Sequence, residues 1–244
     1  SGGVDSVAVL KQLLEETDDK VYAHHVHIKN NEGYNNIKRY KAEALSLRKI
    51  IPYMKRTFRD FHYTESTIDV RQIMNLRSEI FNKEDNELDK KPFPIKDVVY
   101  YHMIGGLLAG TTNSSYMYTG NMPHPLGHPL NKKIESFYKP FDKLDLIFDG
   151  SVAPHKAEIK RPFWDKYNKI GNIEYLGKEL MDMVWYCRDP IEKDGKILSC
   201  NTNLGFYIPA IDAETGEIYK CRPCADVGNA LIEMEEEQEE KEYA

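Results

Sequence analysis

The sequence predicts an α/β fold in which a parallel sheet carries helices on both faces. Segments rich in β-branched and aromatic residues take turns along the chain with segments whose apolar residues recur at helical spacing, the order expected of strands buried under covering helices. A length of 244 residues with 41% hydrophobic content is enough for one sizeable core.

The elements follow in order. Val4 to Glu16 puts Val7, Leu10, Leu13 and Leu14 on one helical face and stops at the polar TDDK. VYAHHVHI (Val21 to Ile28) reads as a strand. A turn at NNEGYNN leads into a helical pattern from Ile37 to Ile51, which Pro52 is expected to end. Tyr53 to Tyr63 is the next candidate strand, Ile68 to Asn82 a third helix, and the charged KEDNELDKK a loop. Ile95 to Ala109 is an apolar helix, and SSYMYTG (Ser114 to Gly120) a short strand. Near the C-terminus, LGFYIPAIDAETGEIYK reads as a hairpin with its turn at AETGE. In sheets of this kind ligands sit beyond the carboxyl ends of the strands, which directs attention to residues 1–6, 27–33 and 120–129.

Charge narrows the classes of partner. The chain carries a formal net charge of -6. Seven glutamates and one lysine between Glu233 and Glu242 account for all of it, so the body is balanced and only the tail is acidic. A balanced body lacks the clustered Lys and Arg of a surface that tracks nucleic-acid phosphates. The apolar stretches are short and interrupted by charge, and no signal-peptide pattern is present, so a cytoplasmic protein is expected. The first residue is not methionine, so the numbered chain is expected to be trimmed, with a strand fitting ahead of Ser1.

The first six residues, SGGVDS, carry the strongest local signal. Paired glycines at the foot of a helix let backbone N–H groups approach a phosphate, and the helix N-terminus favours the negative charge placed there. Serines add hydroxyl donors or cap the helix, and an aspartate in the turn can hold a metal ion or brace the loop. The same residues also make an ordinary helix start after a glycine turn. The four cysteines, Cys187, Cys200, Cys221 and Cys224, lie in one stretch of the chain, the last two as CxxC in YKCRPCAD. Two thiolates at that spacing reach one tetrahedral ion, and the first two can complete a four-sulfur structural zinc site; disulfides or buried thiols are the other readings.

SGGVDS, placed ahead of a helix and then a strand, resembles the SGGxDS signature of the PP-loop, or N-type, ATP pyrophosphatases. Within that superfamily the chain is most similar to the 7-cyano-7-deazaguanine synthase (QueC) family. WYCRDP resembles the setting of that family's first zinc cysteine, CRPCADVGNAL its closing CxxC and helix, AHHVHIKNNEGYNNIKRYKAEALSLRKI its second strand, loop and helix with an Ala-Glu pair, and PHKAEIKRPFWDKYNKIG its Lys-Ala-Glu helix start. The likeness runs in order along most of the chain, but only its first and last motifs are specific. The chain departs from the family where PHPLGHPLNKK replaces the segment beside the base substrate, and in the wider cysteine spacing.

The resemblance implies a Rossmann-like, adenine nucleotide alpha hydrolase-like domain over residues 1–180, a zinc-binding C-terminal segment over 181–232 and an acidic tail over 233–244. It implies cleavage of ATP between its α and β phosphates, with AMP transferred to a carboxylate or carbonyl oxygen and then displaced by a nucleophile. Ser1, Gly2, Gly3, Asp5 and Ser6 would cradle the pyrophosphate with Mg2+, and Lys156 would neutralise charge developing on the α-phosphate. Cys187, Cys200, Cys221 and Cys224 would hold Zn2+. The acceptor would be a small purine-like carboxylate, the nitrogen donor ammonia, and the assembly a homodimer. Gly120 and Asn121 follow a strand at the expected ligand edge, although a plain turn accounts for them equally. His124 and His128 are candidates for the acceptor pocket, and Pro125 and Pro129 exclude a shared helix face for them. Of His24, His25 and His27, two must share a strand face. Only His27, near the strand's end, is a candidate for the adenine side, since buried strand histidines mostly serve the core. A partner-dependent or non-catalytic nucleotide-binding homologue remains an alternative, and a tRNA-thiolating PP-loop enzyme a third.

Overall fold

The computed structural model describes residues 2–29, 36–69, 97–120, 157–160, 162, 169–187, 190–199, 224, 227–228 and 230–236. They form a mixed α/β architecture with short parallel ladders and helices, in the order α1 (Val4–Glu16), β1 (Tyr22–Lys29), α2 (Asn36–Thr57), β2 (His62–Asp69), α3 (Asp97–Thr111), β3 (Tyr116–Tyr118), β4 (Glu158–Lys160), α4 (Lys169–Met181), β5 (Ile191–Lys193) and β6 (Lys196–Leu198). β1 and β2 pair in parallel from Tyr22 opposite His62 to Lys29 opposite Asp69. β3 and β4 form a second, shorter parallel pair, and β5 and β6 an antiparallel hairpin.

The core explains why these segments adopt these elements. Val4, Val7, Ala8 and Leu14 of α1 pack with Leu47, Ile50 and Met54 of α2 and with Ile173, Leu176 and Leu180 of α4. Val227 and Ala230, from the C-terminal helical residues, join the same cluster with Val184. Glu233, Glu235 and Glu236, at the start of the acidic run, are helical and exposed. No helix among the described residues is long and apolar enough to cross a membrane.

Three expectations change. Pro52 lies inside α2 instead of ending it. Proline in a helix interior costs about 3 kcal/mol, but Ile50 and Met54 on the inner face are 0% exposed while Pro52 faces outward. Burying two such side chains is worth roughly 3–6 kcal/mol, so the helix runs through. The strand expected over Tyr53 to Tyr63 therefore starts only at His62, and Ile68 and Asp69 belong to that strand instead of opening a third helix. Finally, the expected Lys-Ala-Glu helix start is strand: Glu158 to Lys160 pairs with Tyr116 to Tyr118. The remainder of the third helix, residues 70–82, the charged loop after it and the expected hairpin at AETGE lie outside the described residues.

One charged side chain closes the far end of α1. The last turn of α1 carries no basic residue. Arg59, from the α2–β2 connection, instead donates to the carbonyls of Leu13 at 3.0 Å, Leu14 at 3.2 Å and Thr17 at 2.8 Å. A guanidinium supplies the planar fork that three helix-end carbonyls need, and its charge complements the negative end of the helix dipole.

Candidate functional site

Backbone, not side chains, dominates the start of α1. Gly3 is the N-cap residue and no side chain caps the helix. Ser6 does not take that role: its Oγ donates to the Gly3 carbonyl at 3.1 Å. The N–H groups of a helix's first turn have no partner within the helix, which makes this end a place where an anion is favoured. Gly2 has φ of 70°, in the left-handed region, and its carbonyl accepts the Trp185 N–H at 2.9 Å.

The end of β3 meets this helix start. Thr119 N–H donates to the Lys160 carbonyl at 3.0 Å, prolonging the β3–β4 ladder to the residue before Gly120. A Cβ added to Gly120 would fall 2.6 Å from Ser6 N, 2.7 Å from Asp5 C and 2.8 Å from Ser6 Cα. Backbone cannot move aside as a side-chain tip can, so only glycine fits there. Residues more than a hundred positions apart in sequence, both singled out as cofactor-binding, thus lie backbone to backbone just past the carboxyl end of a parallel strand.

Asp5 is held from α4. Its Oδ1 accepts from Lys169 Nζ at 2.5 Å and from Asn172 Nδ2 at 3.0 Å. Of the two roles open to this aspartate, the geometry provides the bracing one. Lys169 and Asn172 carry no local sequence signal that would have linked them to Asp5.

The cysteine segment is fastened to the same region. Ser46 Oγ on α2 donates to the Met183 carbonyl at 2.5 Å, and Trp185 Nε1 donates to the Cys187 carbonyl at 2.8 Å. Cys187 and Cys224 are both 1% exposed and pack in one cluster with Trp185 and Tyr186. Two of the four cysteines expected to share an ion are therefore neighbours in space. Cys200 and Cys221 lie outside the described residues, as do Ser1, Asn121, His124, His128 and Lys156.

A second constellation stands on β1 and was not foreseen as a unit. His25 and His27 share a face, their rings meeting edge to face with centroids 4.1 Å apart. His25 Nε2 lies 3.0 Å from His27 Nδ1 and 3.7 Å from Glu43 Oε2. One donor atom from each of the three residues lies within 4.8 Å of the others, so this buried group can hold a metal ion. Arg39 Nε donates to Glu43 Oε1 at 2.8 Å, and His27 Nε2 donates to Glu65 Oε2 at 3.1 Å. Burial pushes the His25 ring far below its ordinary pKa, so it is neutral. For Glu65, bonds from Tyr63 and His27 outweigh the upward push of burial and hold its carboxyl below the usual range.

This environment changes the role open to His27. Its ring is closed in by His25, Tyr40 and Glu65 and is 2% exposed, which leaves no open face for an adenine. The alternation HHVH already contained the shared face. The contribution of Glu43 and Glu65, from α2 and β2, came only with the fold. On the opposite face, His24 lies 2.8 Å from Thr64 Oγ1 through Nδ1 and 2.9 Å from Ser66 Oγ through Nε2.

No protein-family model matches the chain, and neither a curated protein nor a solved structure shows a significant match to it.

Proposed function

We propose that the chain is an ATP-dependent adenylating enzyme of the PP-loop type, with a Rossmann-like nucleotide domain and a cysteine-bound zinc in its C-terminal segment. The observation that carries this reading is the approach of Gly120 to the backbone of Asp5 and Ser6. It brings bare backbone together where a helix N-terminus meets the end of a parallel strand, the kind of place that suits the phosphates of a nucleotide. The SGGVDS sequence at that place supplies the likeness to pyrophosphate-releasing enzymes.

In this reading Gly2, Gly3 and Ser6, with Ser1, bind the β and γ phosphates through N–H and hydroxyl donors, and Asp5 keeps the turn in shape through Lys169 and Asn172. Lys156 and Asn121 complete the α-phosphate side, and His124 and His128 line the acceptor pocket. The acceptor is a 7-deazaguanine carboxylate or a related purine-like acid. Adenylation is the chemistry such an acid needs, because a carboxylate oxygen leaves poorly until it carries AMP. Ammonia then displaces AMP to give the amide, and the nitrile follows if a second ATP adenylates the amide oxygen so that it leaves as AMP. Mg2+ accompanies the phosphates. The packing of Cys187 with Cys224 supports a shared zinc ion, completed by Cys200 and Cys221.

The test is product analysis. The protein is incubated with ATP, Mg2+, ammonia and a panel of carboxylates that includes the deazapurine acid. AMP and pyrophosphate in equal amounts, with a matching mass change in one acid, are expected. Nucleotide binding without AMP under every acid points instead to a non-catalytic or partner-dependent homologue, and no binding at all removes both.

A further inference from the structure

We propose that His25, His27 and Glu43 form a zinc site that clamps β1 to α2, separate from the cysteines and from the start of α1.

The donor spacing fits such an ion. Zinc binds imidazole nitrogen and carboxylate oxygen at about 2.0–2.2 Å in a tetrahedron, which sets neighbouring donors about 3.3 Å apart. The separations of 3.0 Å between the two rings and 3.7 Å from His25 to Glu43 bracket that value. Two imidazoles and one carboxylate are a donor set for zinc and its first-row neighbours, and too nitrogen-rich for magnesium or calcium.

The proton inventory gives a second, independent reason. His27 donates through Nε2 to Glu65, which leaves Nδ1 of that ring as a lone pair facing His25 Nε2. His25 is 2% exposed and its Nδ1 has no hydrogen-bond partner among the described residues. If His25 carries its proton on Nε2, it satisfies His27 but leaves a bare buried lone pair on Nδ1. With the proton on Nδ1, a buried N–H goes unused and two lone pairs confront each other across 3.0 Å. A cation between the rings turns that confrontation into two coordinate bonds, with the His25 proton kept on Nδ1, where its N–H stays unused.

The surroundings are those of a metal site. The Glu65 carboxylate behind His27 fixes the tautomer and raises the basicity of the ring, as carboxylates commonly do behind zinc-bound histidines. Arg39 occupies Glu43 Oε1 and turns Oε2 toward His25. Glu43 and Glu65 together supply two negative charges, with Arg39 beside Glu43 and Arg48 acting on Glu65. All three ligands are buried, two on a strand and one on the helix that covers it.

The test separates this site from the thiolates by observing histidine directly. In the chain stripped of metal with a chelator, long-range proton–nitrogen spectra of the imidazoles are recorded before and after adding zinc. The His25 and His27 ring nitrogens are expected to shift and the thermal midpoint to rise, by preferential binding to the folded state. Glu65→Gln, at a side chain 45% exposed, is expected to fold and to weaken this zinc equivalent about 10–100-fold. Glu43→Gln is expected to lose that equivalent altogether while cobalt still produces its thiolate charge-transfer band. Histidine resonances unmoved by zinc, or equal zinc content and affinity in wild type and both variants, overturn the site. Zinc seen only through thiolates does so too. Should Glu43→Gln fail to fold, the wild-type spectra decide alone.

Discussion

At the start of α1 the chain presents bare backbone: Gly120 lies against the peptide groups of Asp5 and Ser6, with Gly2 and Gly3 just ahead of them. On β1 it presents side chains, with His25 and His27 set against Glu43 and Glu65 from two other elements. The first site is made by what is missing, namely every Cβ that would fill it. The second is made by what is added, and needs three elements in register before any of it exists. A site of the first kind tolerates almost no added atom but few of its side chains matter. One of the second kind tolerates changes of surface residues but depends on the identity of each ligand.

The largest effect is expected where the backbone site is filled. Gly120→Ala forces a methyl group to within 2.6 Å of Ser6 N, and overpacking against unyielding atoms costs about 3 kcal/mol. β3 and the start of α1 are pushed apart, so nucleotide binding is expected to fall with stability. Denaturant unfolding and a fluorescent-nucleotide titration measure the two, and an unchanged midpoint would remove the close approach. Gly2→Ala is milder. The new Cβ lies 3.4 Å from Leu47, ordinary contact, so the cost is that of a left-handed residue, about 1–2 kcal/mol.

How much of this the sequence disclosed follows the same division. α1 is legible residue for residue because its apolar spacing and its glycine start are local features. The two partners of the close approach are legible because SGGVDS and Gly120 each sit at an element end. Pro52 misled because local propensity was outweighed by Ile50 and Met54, whose burial depends on α1 and α4. The shift of β2 follows from that one error. The hairpin at Ile191 to Leu198 was missed although Asp194-Gly195, both at positive φ, is the strongest short turn signal available. The metal-capable group was half legible: HHVH fixes the shared face, but nothing local ties it to Glu43 or Glu65. Lys169 was beyond reach in the same way, 164 positions from the aspartate it holds.

A third substitution probes what joins the cysteine segment to the core. Ser46→Ala removes the hydrogen bond to the Met183 carbonyl from a buried hydroxyl, at a cost of about 1 kcal/mol. The expected readout is faster exchange of the Trp185 amide, whose acceptor is the Gly2 carbonyl, with little change at β1. Equal loosening of both regions would mean that the two sites are not mechanically separate.

The smallest effect sharpens the comparison within a single strand pair. Glu65 and Ser66 are neighbours on β2, and alternation sends them to opposite faces. Ser66 meets His24, whose ring is also served by Thr64, so Ser66→Ala leaves one of two partly exposed bonds in place. Its cost is expected to stay below about 0.5 kcal/mol, the size of a partial loss in water-accessible surroundings. Zinc affinity, measured by the same titration used for Glu65→Gln, should match wild type. A drop in affinity from Ser66→Ala would show that the two faces communicate through the ladder, so that the histidine group is not set by the Glu65 side alone.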